Sequence, residues 1–150
     1  MKEFLTQNAS ETEELGARIG ACLEKPSLIL LRGDLGTGKT TFTRGLARGL
    51  GLTDTSFVHS PTYTLINHYH ASARTIYHVD LYRLDSLRDV LSTGLEEILD
   101  QNGIIVVEWG EKLPFDSPQA HTVYIEALES ENCRRIYLEG FPAMAISSEF

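Results

Sequence analysis

Gly33-Asp34-Leu35-Gly36-Thr37-Gly38-Lys39-Thr40 fits the phosphate-loop pattern G-x-x-x-x-G-K-[ST] at each fixed position. An apolar run, Leu28 to Leu31, leads in like a short buried strand, and a helical stretch, Thr41 to Leu50, leads out. A loop of this kind wraps a phosphate with successive backbone N–H groups at a helix N-terminus. Glycine is needed where those amides approach the phosphate closely or take positive φ. Lys39 brings a compact positive charge to the β- and γ-phosphates, and the Thr40 hydroxyl is a ligand for Mg²⁺. The flanking strand and helix separate this reading from a glycine-rich turn followed by a chance Lys-Thr.

Working outward, the first element is predicted to be a helix. Ser10 stands as its N-cap and Glu13 three residues on, as a capping box requires. Leu15, Ile19, Cys22 and Leu23 fall on one face, and Pro26 stops the helix. Gly49 and Gly51 bracket the end of the helix after the loop. Ser60 to Tyr69 and Arg74 to Asp80 are β-branched and aromatic and read as a strand pair. Leu87 to Leu99 reads as a helix capped by Asp85 or Ser86. Ile104-Ile105-Val106-Val107 is an unbroken apolar run ending in Glu108, the pattern of a central strand buried on both faces. Thr122 to Leu128 and Arg134 to Glu139 alternate and resemble a terminal antiparallel pair. Together these units predict an α/β three-layer sandwich with a mostly parallel central sheet and added antiparallel strands. Ligands of such sheets sit at the carboxyl ends of the strands.

The chain has 150 residues, which suits one domain spanning 1–150 with a core from about 10 to 138. Net charge is −8, with 13 Lys and Arg against 21 Asp and Glu, which argues against a broad nucleic-acid surface and against DNA as a partner. Arg32, Lys39, Arg44 and Arg48 gather near the loop and read as a phosphate site with a solvated helix face. No apolar run approaches the roughly 20 residues of a membrane span. The start, Met1 to Gln7, lacks an export signal, and Cys22 and Cys133 stand alone without metal-ligand spacing. Both features predict a cytoplasmic protein with reduced thiols.

Two acids end apolar strands, Asp80 and Glu108, and either suits the acid that holds Mg²⁺ while the other orients the attacking water. His78 and Asp80 are two apart on a predicted strand and share its face. His68 and His70 also share a face and read as strand surface. Trp109 is the only tryptophan and suits either packing or a partner-facing anchor. Thr62 and Thr64 lie where nucleotide switches place a γ-phosphate-sensing segment. Guanine specificity predicts an N-K-x-D stretch, which the chain lacks, so adenine is the expected base. Asp100-Gln101-Asn102-Gly103 reads as a turn.

The loop, then Ser60-Pro61-Thr62-Tyr63-Thr64-Leu65, then Tyr77-His78-Val79-Asp80-Leu81-Tyr82-Arg83-Leu84, then Val107-Glu108-Trp109, occur in the order and spacing of the TsaE (YjeE) family. The resemblance runs from about Ser10 to Leu138, and the H-x-D-L-Y-R-L stretch is its most specific element. It implies a P-loop NTPase-like fold and a bacterial ATPase of tRNA threonylcarbamoyladenosine biosynthesis, using ATP and Mg²⁺. The modified tRNAs are those reading codons that start with adenine. The resemblance further implies action through the TsaB–TsaD complex, so that tRNA is involved indirectly. By position, Gly33, Asp34, Leu35, Gly36, Thr37, Gly38, Lys39, Thr40 and Thr41 become nucleotide residues, with Thr40 and Glu108 at the metal. Lys39, Asp80 and Glu108 become the catalytic set, and Ser10 and Arg134 fall where the family places residues beside the nucleotide. A small-molecule kinase and a nucleotide-gated binding module can be built on the same loop. The kinase needs an arginine-bearing lid, and the segment after Asp80 carries only Arg83 and Arg88. No arginine stands in an obvious finger position, so slow hydrolysis by the isolated chain is expected.

Overall fold

The computed structural model describes residues 1–24, 26–61, 64–72, 74–99, 102–113 and 119–142. Among them, β1 (Lys2–Thr6), β2 (Ser27–Arg32), β3 (Ile66–His70), β4 (Thr75–Asp80), β5 (Ile104–Glu108), β6 (His121–Ala127) and β7 (Arg134–Glu139) form one sheet. Its order is β1-β7-β6-β2-β5-β4-β3. The central strands β6, β2, β5 and β4 are parallel. Antiparallel pairings add β7 and β1 at one edge and β3 at the other. The mixed sheet and terminal antiparallel pair are those expected from the apolar patterns.

Alternation along the central strands builds the two outer layers. Ile29 and Leu31 of β2, with Ile104 and Val106 of β5, pack with Leu15 and Ile19 of α1 (Ala9–Ala21) and Phe42 and Leu46 of α2 (Lys39–Gly49). Leu30, Ile105 and Val107 face the other way, with Val90 of α3 (Leu87–Ser92) and Leu95 of α4 (Leu95–Leu99). Both faces of β5 are covered, and all five of its residues are buried. That double burial is why its sequence is continuously apolar.

α1 and α2 meet backbone to backbone. A Cβ on Gly16 or Gly20 of α1 would collide with the carbonyl of Phe42 or Leu46. A Cβ on Gly45 or Gly49 of α2 would collide with the carbonyl of Glu13 or Ala17. Glycines four apart on both helices thus let the axes close in. This contact sets α1 beside α2, the helix that begins at the phosphate loop.

Several expectations need correction. The first element is β1, not a helix; only Phe4 and Thr6 of its five residues are buried, too few to announce a strand. Asn8, not Ser10, caps α1: its Oδ1 accepts from the Glu11 amide at 2.9 Å, while Glu11 Oε2 accepts from the Gln7 amide at 2.7 Å. Cys22 follows the helix and is exposed rather than core. α2 begins at Lys39 instead of Thr41 and ends at Gly49, with Gly51 at φ 100° beyond it. Of the strand expected over 60–69, residues 66–69 lie in β3, and the described residues 60, 61, 64 and 65 do not. The stretch read as one helix over 87–99 is two, α3 capped by Ser86, with Gly94 at φ 81° before α4. Thr62, Tyr63, Asp100 and Gln101 lie outside the described residues. No helix among the described residues is long and apolar enough to cross a membrane.

Candidate active site

The loop residues, Asp80 and Glu108 converge at the carboxyl ends of β2, β4 and β5. Ile76 of β4 and Ile104 and Val106 of β5 face the α1–α2 layer. By alternation, His78, Asp80 and Glu108 share that face. The strand register sets Asp80 opposite Glu108. Both acids therefore end on the side where α2 begins, and both are 3% exposed.

Gly38 caps α2 at φ 108° with no side chain bonded to its first turn. Gly36 stands at φ 77° and Gly33 at φ 150°, so three of the loop's glycines take positive φ. Thr37 Oγ1 donates to the Asp34 carbonyl at 3.0 Å. The Lys39 ammonium donates to the carbonyls of Gly33 at 2.6 Å and Asp34 at 2.9 Å. It also lies 4.8 Å from the centroid of the Trp109 ring, a cation–π contact. Burial lowers the Lys39 pKa, while the carboxylates of Glu108, Asp80, Glu111 and Asp34 pull it upward.

The acids are tethered differently. Asp80 Oδ1 accepts from the Tyr82 amide at 2.8 Å, and Oδ2 accepts from the Ser60 hydroxyl at 3.2 Å. Glu108 Oε2 lies 2.7 Å from Nε2 of His78, whose ring is fully buried. His78 Nδ1 lies 3.0 Å from the Tyr69 hydroxyl. Burial raises the Tyr69 pKa, against hydrogen bonds with Asn67 and His59, so the phenol keeps its proton. His78 and Asp80 share a face of β4, as expected, and the His78 ring bonds across to Glu108 of β5.

Lys39, Thr40, Thr41, Ser60, Asp80 and Glu108 line one cavity of about 390 Å³, together with Leu35, Gly36, Gly38 and Trp109. Gly33, Asp34 and Thr37 line a neighbouring space of about 840 Å³ that shares Leu35 and Trp109 with the first. Arg134 braces the loop from β7: its Nε donates to the Thr37 carbonyl at 2.6 Å and a terminal nitrogen to Gly36 at 3.5 Å. With Thr12 and Asn132 it borders a small space of about 40 Å³ beside Gly38 and Thr41. Ser10 is exposed and lines none of these spaces, although its neighbour Ala9 borders the small one.

The hydroxyl of Thr40 and the carboxylates of Asp80 and Glu108 are hard oxygen donors facing one space, a set suited to Mg²⁺. Among the described residues no group of three or more His, Cys, Asp or Glu could hold a metal. Mg²⁺ bound through one or two protein oxygens, phosphate and water needs no such group.

Sequence reasoning did not pick out Ser60 or Tyr69 as site residues, nor Trp109 as a partner of Lys39. The signal for Tyr69 was present: Tyr69 and His78 lie on paired strands, with Asn67 opposite His78. Trp109 takes a left-handed conformation, φ 60° and ψ 45°, which turns the chain at the end of β5. His68 and His70 are exposed, as expected of strand surface. Of the basic residues near the loop, Arg48 pairs with Glu13 and Glu14, and Arg44 bonds the Val58 carbonyl.

The family model described as "Threonylcarbamoyl adenosine biosynthesis protein TsaE" matches residues 6–136. The chain belongs to the TsaE family. It is 40% identical to the tRNA threonylcarbamoyladenosine biosynthesis protein TsaE of Treponema pallidum, covering 81% of this chain and 87% of that protein. It is 42% identical to the TsaE of Bacillus subtilis, covering 78% and 72% respectively. The crystal structure of Bacillus subtilis YdiB superposes with a TM-score of 0.72 at 32% identity, covering 90% of this chain and 82% of that one. The α/β architecture is thus shared with a solved structure. A place in tRNA threonylcarbamoyladenosine biosynthesis follows from family membership.

Proposed function

We propose that this TsaE-family protein binds ATP with Mg²⁺ and hydrolyses it in support of tRNA threonylcarbamoyladenosine formation, acting on the TsaB–TsaD complex. The observation that carries this reading is the convergence of Lys39, Thr40, Asp80 and Glu108 on one cavity at the start of α2. The amides of the loop and the first turn of α2 would cradle the phosphates. Lys39, now bonded to the Gly33 and Asp34 carbonyls, would add its charge at the β- and γ-oxygens. Thr40 and Glu108 would hold the metal. Mg²⁺, when bound, neutralises charge that builds on the phosphoryl oxygens. Asp80, bonded through both oxygens to the Tyr82 amide and the Ser60 hydroxyl, would orient the attacking water.

Among the described residues lining the cavity, Lys39 is the only cation. A loose phosphoryl-transfer transition state gains about 10³–10⁵-fold from an added arginine. Turnover by the isolated chain should therefore be slow, and a partner should raise it. The acidic balance, −8, suits a component that does not itself grip tRNA.

The test is steady-state release of phosphate from ATP and from GTP, with and without TsaB and TsaD homologues. ATP should be preferred, and the complex should raise its turnover well above the sum of the parts. Equal use of GTP would remove the adenine assignment. Transfer of phosphate to a small-molecule acceptor would favour a kinase.

A further inference from the structure

We propose that Tyr69 and His78 are positioning residues that fix the carboxylate of Glu108, oriented by a one-way hydrogen-bond chain that starts at Thr64. The proposal rests on the reading of Glu108 as the metal-side acid. Its direction follows from the donors and acceptors themselves. The Thr64 hydroxyl stands 2.7 Å from Asn67 Oδ1 and donates to it. That contact leaves the Asn67 amide nitrogen as donor, 3.2 Å from the His59 carbonyl and 3.4 Å from the Tyr69 oxygen. The His59 carbonyl thereby already accepts a hydrogen bond from Asn67. The single Tyr69 hydroxyl proton goes to the nearer acceptor, His78 Nδ1 at 3.0 Å rather than the His59 carbonyl at 3.3 Å. With Nδ1 accepting from Tyr69, Nε2 carries a proton and donates to Glu108 Oε2 at 2.7 Å. The opposite tautomer would set a bare Nε2 lone pair against a carboxylate.

Three features argue against an incidental core histidine. The ring is fully buried on the strand face that carries Ile76, where an apolar side chain would pack without needing partners. Both ring nitrogens are bonded. Finally, both acids lead back to the segment entering β3: Asp80 through Ser60, and Glu108 through His78, Tyr69, Asn67 and Thr64. A partner that shifts this segment would act on both carboxylates together. Groups that orient a metal-binding side chain in this manner are worth about 10–100-fold in metal affinity.

The experiment uses Tyr69→Phe, His78→Asn and His78→Gln in the full chain, with two readouts. Nitrogen NMR of the His78 ring in nucleotide-free protein reports the tautomer. Calorimetry of ADP binding, with and without Mg²⁺, reports the metal-dependent part of affinity. Wild-type protein should show the Nε2–H tautomer, and Tyr69→Phe should mix the two forms. Tyr69→Phe and His78→Asn should keep metal-free ADP affinity within about twofold yet lose about 10–100-fold of the gain from Mg²⁺. His78→Gln, which returns an N–H near the Nε2 position, should keep most of that gain. An Nδ1–H tautomer in wild type, an unchanged Mg²⁺ gain in Tyr69→Phe and His78→Asn, or equal losses in His78→Asn and His78→Gln would each overturn the proposal. Wild-type protein that binds no nucleotide would instead overturn the ATPase reading, while the tautomer, read without nucleotide, still decides the chain.

Discussion

The carboxyl ends of β2, β4 and β5 and the antiparallel edge formed by β6, β7 and β1 use the same kinds of charged side chain in opposite ways. At the strand ends, Lys39 is 6% exposed and Asp80 and Glu108 are 3% exposed, and each is tied to a named donor or acceptor. On the edge, Arg135 reaches Glu3 at 3.4 Å and Glu126 at 3.8 Å, with side chains 39%, 48% and 57% exposed. Burial of charge costs free energy that pairing offsets only in part. A fold keeps such groups where chemistry needs them. The edge pairs are partly exposed side chains at 3.4–3.8 Å, a setting in which an ion pair gains little.

This contrast ranks the expected effects of substitution. Lys39→Ala removes a cation that shares the cavity with both acids and should cut partner-stimulated ATP turnover by about 10³-fold or more, read by phosphate release. Unchanged turnover would mean that the buried charge is structural. Gly45→Ala tests the scaffold beneath the site, because its methyl would press into the Glu13 backbone. It should cost about 2–3 kcal/mol of stability, measured by urea unfolding, despite the better helix propensity of alanine. A neutral result would show that α1 and α2 can part without loss.

A smaller effect concerns pH. Burial lowers the Lys39 pKa, so the unfolded chain binds the extra proton between that folded value and the ordinary lysine value. Stability from this group therefore rises with pH across that alkaline window. The unfolding free energy of wild type minus that of Lys39→Met should climb there, and a fall would reverse the assignment. Least of all, Arg135→Ala should change stability by no more than about 0.5 kcal/mol and leave turnover intact. A larger loss would erase the difference between the two regions.

The strand-end site was largely legible in the sequence because its grammar is local. A glycine loop, a lysine and apolar runs that end in acids are each read within about ten residues. The edge was less so. β1 offers one buried apolar side chain, Phe4, beside an exposed Leu5, and its pairing with β7 depends on a segment far along the chain. The α1 cap was misplaced by two residues because Ser10 and Glu13 imitate the box that Asn8 and Glu11 form. The glycines of α1 and α2 stand four apart in the sequence, but their role appears only when the two helices meet. His78 was legible as a candidate, but its bond to Glu108 requires the parallel register of β4 and β5.

The central claim is that Asp80 and Glu108, brought side by side by that register, make the loop a site of hydrolysis. Steady-state hydrolysis of Mg·ATP in the presence of the TsaB–TsaD complex, by wild type, Asp80→Asn and Glu108→Gln, tests it most directly. Each substitution should lower turnover by about 10²-fold or more while metal-free ADP binding persists. Wild-type rates in both variants would contradict the account.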